Sequence, residues 1–140
     1  MNLQGFTILM ARHNLQVFRL EVFLVRKNFL LNNIPKYILS ECSEYSKSFE
    51  KEEACGVILQ ESDHFKFKPC ENISSDKRNF FAINPLELIY DNIKYIFHSH
   101  WQGGARPSSD DKKACEELCI PFLIYSVKDN EFFLYENISV

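Results

Sequence analysis

The sequence predicts an α/β fold, an α+β sandwich built around one sheet. Segments with helical spacing alternate with short apolar runs of strand length along the chain. Two helix starts, at Asn84 and Ser108, are interleaved with those runs. The composition is globular, 46% hydrophobic and 25% charged, without low-complexity tracts or repeats. A chain of 140 residues is long enough for one domain with a core of its own.

The elements follow in order. Residues 15–31, LQVFRLEVFLVRKNFLL, are rich in β-branched and aromatic residues and are expected as strand, although Val17, Arg19, Glu21 and Phe23 leave the period unsettled. Ile34, Tyr37, Ile38, Cys42, Tyr45 and Phe49 recur at three- and four-residue intervals, which predicts a helix of about four turns that starts near Asn33 and Pro35. ACGVILQ reads as a buried strand, ESDH as a turn and FKFKP as an alternating partner. In INPLELIYDN, Asn84 suits a cap, Pro85 the first helical position and Glu87 the third position of a capping box. A short helix there should feed the strand IKYIFHSH. SSDDKKACEEL has acidic residues in its first turn and ends before Pro121, so it should be helical. PFLIYSV and EFFLYEN, joined by KDN, close the chain as a second hairpin.

The net charge of −3 and the lack of a long basic run argue against nucleic acid as the main partner. No stretch approaches the ~18 apolar residues needed to span a bilayer, so no membrane association is expected. The first residues lack a basic n-region followed by an uninterrupted apolar core and a small-residue cleavage site, so no signal peptide is expected and the expected location is cytoplasmic. Five cysteines without framework spacing fit reduced, mostly buried thiols. Cys115 and Cys119 lie four apart on an expected helix, where packing explains them better than a metal does.

The chemistry concentrates in FHSHWQGGARPSSDD, residues 97–111. Residues two apart on a strand project to the same side, so His98 and His100 could offer two nitrogens to one metal ion. Hydrolytic zinc sites usually take three protein ligands and leave a fourth position open. Asp111 is the natural third ligand and Asp110 its competitor. Ser108 with Asp111 also has the form of a helix cap, and the two roles are compatible. Four histidines placed at random give an H-x-H pair about one time in twelve; adding Ser108 and Asp111 at their places lowers this to roughly a few in ten thousand.

H-x-H, seven residues, then S-x-x-D resembles the JAMM signature of the MPN/JAB zinc metallopeptidases. Upstream, EEACGVIL resembles the other half of that signature, and PCENISSD with FAINPLELI is similar to its N-then-F-x-I-x-P stretch. The likeness covers roughly residues 34 to 137 and is strongest, over DKKACEELCIPFLIYSV, to the JAB domain of lambda-like phage tail-assembly proteins and to single-domain bacterial homologues. It implies a JAB/MPN-type domain over 34–140, with a central mixed sheet flanked by helices in cytidine-deaminase-like layering. Residues 1–33 would be an N-terminal extension.

The resemblance also implies roles. His98, His100 and Asp111 become ligands to Zn2+, Glu53 the general base and later acid, and Ser108 a donor to the oxygen that gains charge. From the residues alone, Glu52 would serve as well as Glu53, and either could be a solvated charge. Trp101 stands where the family commonly has proline, a departure that bears on the loop and the substrate entrance. The implied activity is zinc-dependent hydrolysis of an amide bond in a peptide or protein. The phage likeness implies processing of a tail or cell-wall-related peptide, and the other relatives imply release of a ubiquitin-like or sulfur-carrier protein. A non-catalytic MPN-type scaffold is the alternative from a different class, but such proteins typically lose ligands that this chain retains. The H-x-H-x-D-H run of metallo-β-lactamase-like sites, the paired motifs of nucleoside deaminases, the serine-hydrolase elbow and the phosphate loop are all missing.

Overall fold

The computed structural model describes residues 31–136. The strand expected over 15–31 lies outside them except for Leu31, whose backbone is helical. The described elements are α1 (Lys36–Lys47), β1 (Cys55–Gln60), β2 (Phe65–Cys70), a 3-10 turn (Pro85–Leu88), β3 (Ile93–His100), α2 (Ser109–Leu118), β4 (Phe122–Ser126) and β5 (Glu131–Tyr135). The strands form one mixed sheet in the order β2-β1-β3-β4-β5, in which only β3 and β4 run parallel. That parallel pair needs a crossover connection, and α2 supplies it.

Each face of the sheet packs its own core. Ile34, Ile38 and Cys42, at and beside α1, meet Ile58, Phe67, Tyr95, Phe97, Leu123 and Tyr125 on one face. Cys115 of α2 and Ala105 meet Val57, Ile96, Phe122 and Ile124 on the other. The strands between are therefore apolar on both sides, and β4 is buried at all five positions. Gly56 is required by this packing: a Cβ there would stand 2.6 Å from the Lys68 carbonyl oxygen and 2.7 Å from the Phe67 ring.

Two local expectations change. Helix α1 is shorter than four turns, because Ser48 and Phe49 donate to the carbonyls of Tyr45 and Ser46 in a tightened end. At the 3-10 turn, Asn84 accepts from the Leu86 N–H as a cap should, but the Glu87 carboxylate pairs with Lys68. A long-range cation has won over the local box. Cys115 is buried and donates to the Ile120 carbonyl, while Cys119 is exposed in the left-handed conformation that ends α2. The two thiols do not share a site. Burial pushes the Cys55 thiol up to about 12, so it behaves as a packed apolar group. No helix among the described residues is long and apolar enough to cross a membrane.

Candidate metal centre

The site forms where the C-terminal end of β3 meets the first turn of α2. Alternation along β3 turns Tyr95 and Phe97 to the α1 face and Ile96, His98 and His100 to the α2 side. Ser108 caps α2 by accepting from the Asp111 N–H at 3.1 Å, and Asp111 Oδ2 accepts from the Ser108 N–H at 2.9 Å. This reciprocal cap holds the Asp111 carboxylate against the strand.

Three donor atoms converge there. His98 Nε2 and His100 Nε2 are 3.2 Å apart, and they lie 3.2 and 3.1 Å from Asp111 Oδ2. Tetrahedral zinc with bonds of about 2.0–2.1 Å requires donor separations of about 3.3–3.4 Å, so the triangle fits such an ion with little adjustment. The donor set, two imidazoles and a carboxylate, suits zinc chemically. His100 is also oriented for the task, since its Nδ1 donates to the Gly104 carbonyl at 2.7 Å and leaves Nε2 for a ligand. His98 is buried, stacked against Phe81 at 4.3 Å between ring centroids, and its Nδ1 has no hydrogen-bond partner among the described residues. Asp110, the competing candidate, is exposed and outside the cluster.

The electrostatics centre on Asp111. Burial opposes its ionisation, but hydrogen bonds from His100 and His98 outweigh burial and hold the carboxyl well below its ordinary range. Burial pushes His98 down despite the nearby carboxylate. Burial also works against charge on His100, yet its bonds to Asp111 and Gly104 leave it raised. A divalent ion would replace the proton shared within this cluster.

Glu53 is the residue that distance in sequence most obscures. It lies just before β1 and is buried, with only 6% of its surface exposed, whereas Glu52 is half-buried. Burial pushes its carboxyl up to about 8, with His100 pulling it down and Asp111 and Asp76 adding to the rise. A cavity of about 430 Å³ is lined by Glu53, His100, Trp101 and Ser108 together. Backbone bonds fix this placement: Ser99 donates its N–H to the Ala54 carbonyl, and its hydroxyl accepts from the Ala54 N–H, both at 2.9 Å. Ser99 thus ties the Glu53 segment to the strand between the two histidines.

Three supporting residues escaped the sequence reading. Ser99 is one and Phe81 another. Buried Asn72 is the third, donating to the carbonyls of Glu53 and Phe80 at 2.9 and 3.0 Å and accepting from the N–H groups of Ser74 and Ala82. The N-then-F-x-I-x-P stretch contains Asn72 and Phe81 but carries no indication of these roles.

An α+β fold with a mixed sheet and a His-His-Asp cluster beside a buried glutamate defines the class to which the chain can be compared. A family model described as prokaryotic homologs of the JAB domain matches residues 35–136, and the chain belongs to that family. It is 31% identical over 78 residues to the tail tip assembly protein K of Escherichia phage N15, a match covering 53% of this chain and 32% of that one. The chain therefore spans about a third of the length of this curated relative. Among solved structures, protein DSY2949 from Desulfitobacterium hafniense superposes with a TM-score of 0.59 at 22% identity, over 74% of this chain and 84% of that one. This likeness shows the shared fold. A Salinibacter ruber protein aligns with a TM-score of 0.48 at 16% identity, over 74% and 80% of the two chains.

Proposed function

We propose that the chain is a zinc-dependent metallopeptidase or isopeptidase that hydrolyses an amide bond in a peptide or protein. His98, His100 and Asp111 hold the ion, Glu53 moves the proton, and Ser108 steadies developing charge. The observation that carries this reading is the triangle of donors 3.1–3.2 Å apart, with His100 opening on the same cavity as the buried carboxyl of Glu53. A purely structural histidine pair has no need of a buried acid across a cavity.

Zinc, when bound, supplies a Lewis acid that acidifies water and polarises a carbonyl. Glu53 sits in a site that disfavours its charge, so the carboxyl readily returns a proton at neutral pH. Beside a dication Glu53 is drawn back towards its ionised form, which lets it begin the cycle as a base. It takes the proton of the attacking water and delivers it to the leaving amine. The Ser108 hydroxyl already accepts from the Asp111 N–H, so its own hydrogen is free to donate into the cavity towards the oxygen that gains charge.

The likeness to a tail tip assembly protein favours a protein or peptide met during tail assembly, in the cytoplasm of an infected cell. In this reading residues 34–140 form the catalytic domain and residues 1–33 an extension to it. The test is metal analysis of the purified chain beside a His98→Ala, His100→Ala double variant. The reading expects about one zinc per parent chain and almost none in the variant. Equal, substoichiometric metal in both would leave the fold as a scaffold without catalysis.

A further inference from the structure

We propose that Lys51 and Arg78 form an anion-recognising subsite that selects peptides bearing a carboxylate beside the amide to be cleaved. This deepens the hydrolase reading and rests on it. Both side chains line the 430 Å³ cavity that holds Glu53, His100 and Ser108, and among the described residues Glu53 is the only carboxylate on its wall. Among the described residues neither cation has an ion-pair partner. The nearest acid on the turn that carries Arg78 is Asp76, whose carboxylate accepts from the Asn79 side chain at 2.9 Å. Two cations lining one cavity without an ion-pair partner among the described residues stand out on a chain whose net charge is −3.

Their placement is built into the backbone. Lys51 precedes Glu53 by two residues and holds a φ of 61°, a left-handed conformation uncommon for a residue with a side chain. The Glu53 N–H donates to the Lys77 carbonyl at 2.7 Å, and Asn72 bridges the Glu53 and Phe80 carbonyls, so the turn bearing Arg78 is clamped to the acid–base residue. A substrate amide presented to Glu53 therefore carries its flanking groups past both cations. Arginine recognises a carboxylate through two parallel hydrogen bonds, and lysine adds a point charge. The carboxylate could belong to an aspartate or glutamate side chain or to the free end of a chain, and the two sources are separable by experiment.

Trp101 is the only tryptophan in the chain and lines the same cavity, so its emission reports binding without catalysis. The full chain, freed of metal by dialysis to prevent direct coordination, is titrated with two pairs of short alanine-based peptides. In one pair, capped at both ends, a central glutamate is exchanged for glutamine. In the other the C-terminus is free or amidated. One charge-assisted contact predicts at least about tenfold tighter binding of the acidic member in one pair, and the pair that responds identifies the source. The Lys51→Asn, Arg78→Gln variant, with asparagine chosen to suit the left-handed backbone, should bring the two members within about twofold. Equal affinities in the parent, or a preference that survives in the variant, would overturn the subsite. The same pairs are then offered to the zinc-loaded chain. Cleavage with equal kcat/KM for acidic and neutral members removes the subsite and leaves the hydrolase. A binding preference without hydrolysis of any peptide removes the hydrolase and leaves the subsite.

Discussion

The two sides of β3 put one strand to opposite uses. Tyr95 and Phe97 face α1 within a continuous apolar core, where Phe97 meets the Phe67 ring edge-on at 5.5 Å. On the α2 side Ile96 packs conventionally, but His98 and His100 then lead into a cluster of nitrogens, a carboxylate and a cavity. The first side closes on itself. On the second, His98 is fully buried with a ring nitrogen that has no partner among the described residues, an arrangement that costs stability. Stability is thus concentrated on one side of the strand and the candidate metal site at the end of the other.

Substitutions can break that division, and the largest effect belongs to the chemical side. Glu53→Gln should lower hydrolysis by at least about 10²–10⁴-fold, the usual reach of general acid–base catalysis, while keeping about one zinc per chain. A variant that cleaves as fast as the parent would remove Glu53 from its role. Phe97→Ala, on the structural side, should cost about 3–5 kcal/mol in denaturant unfolding and leave the zinc bound per folded chain unchanged. Loss of metal in the folded variant would show that the two sides are coupled.

Next in size is a pH effect. Glu53 has a folded pKa of about 8 against an ordinary 4.5, so the folded chain retains a proton that the unfolded chain releases. Its contribution is therefore fully present below 4.5 and is lost as pH rises towards 8, by something on the order of a few kcal/mol in metal-free protein. Asp111 has the opposite sign, stabilising above its ordinary 3.8 and losing that contribution as pH falls below it. Chemical denaturation from pH 5 to 9 should show stability falling, and Glu53→Gln should flatten the slope. The smallest stability change is at the helix start: Ser108→Ala should cost about 1 kcal/mol for the lost cap. In the proposed mechanism it should lower kcat more than it raises KM, as expected of a donor to charge that develops only in the transition state. An equal loss in both would make Ser108 a structural cap alone.

What could be read beforehand follows the range of the interactions. The α1 periodicity, the strand runs from ACGVILQ onwards and the Ser108 cap are local patterns; the strands and the cap appear where expected, and α1 appears with a shortened end. Strand alternation made the His98 and His100 pair legible, but the residues alone left Asp110 beside Asp111 as third member, and the family likeness pointed to Asp111. Glu53 required the family likeness, since EKEEA alone gives no reason to prefer it to Glu52. Ser99 reaches Ala54 across 45 residues, and Asn72 reaches Glu53 across 19. Such contacts depend on which strands become neighbours, and that leaves no local mark. Glu87 shows the converse: a sound local pattern in the 3-10 turn gave way to a lysine on β2.

Asp111 Oδ2 serves two masters, bonding the helix cap and both histidines at once. A lineage that ceased to use the ion would still gain from this aspartate and from Ser108, because the crossover to β4 begins with their cap. Sequence drift should therefore erase the two imidazoles and the buried glutamate first, leaving S-x-x-D behind as an architectural relic. Under the proposed mechanism, that motif alone would be a weak mark of an active member, and the histidines taken with the distant glutamate would be the telling ones.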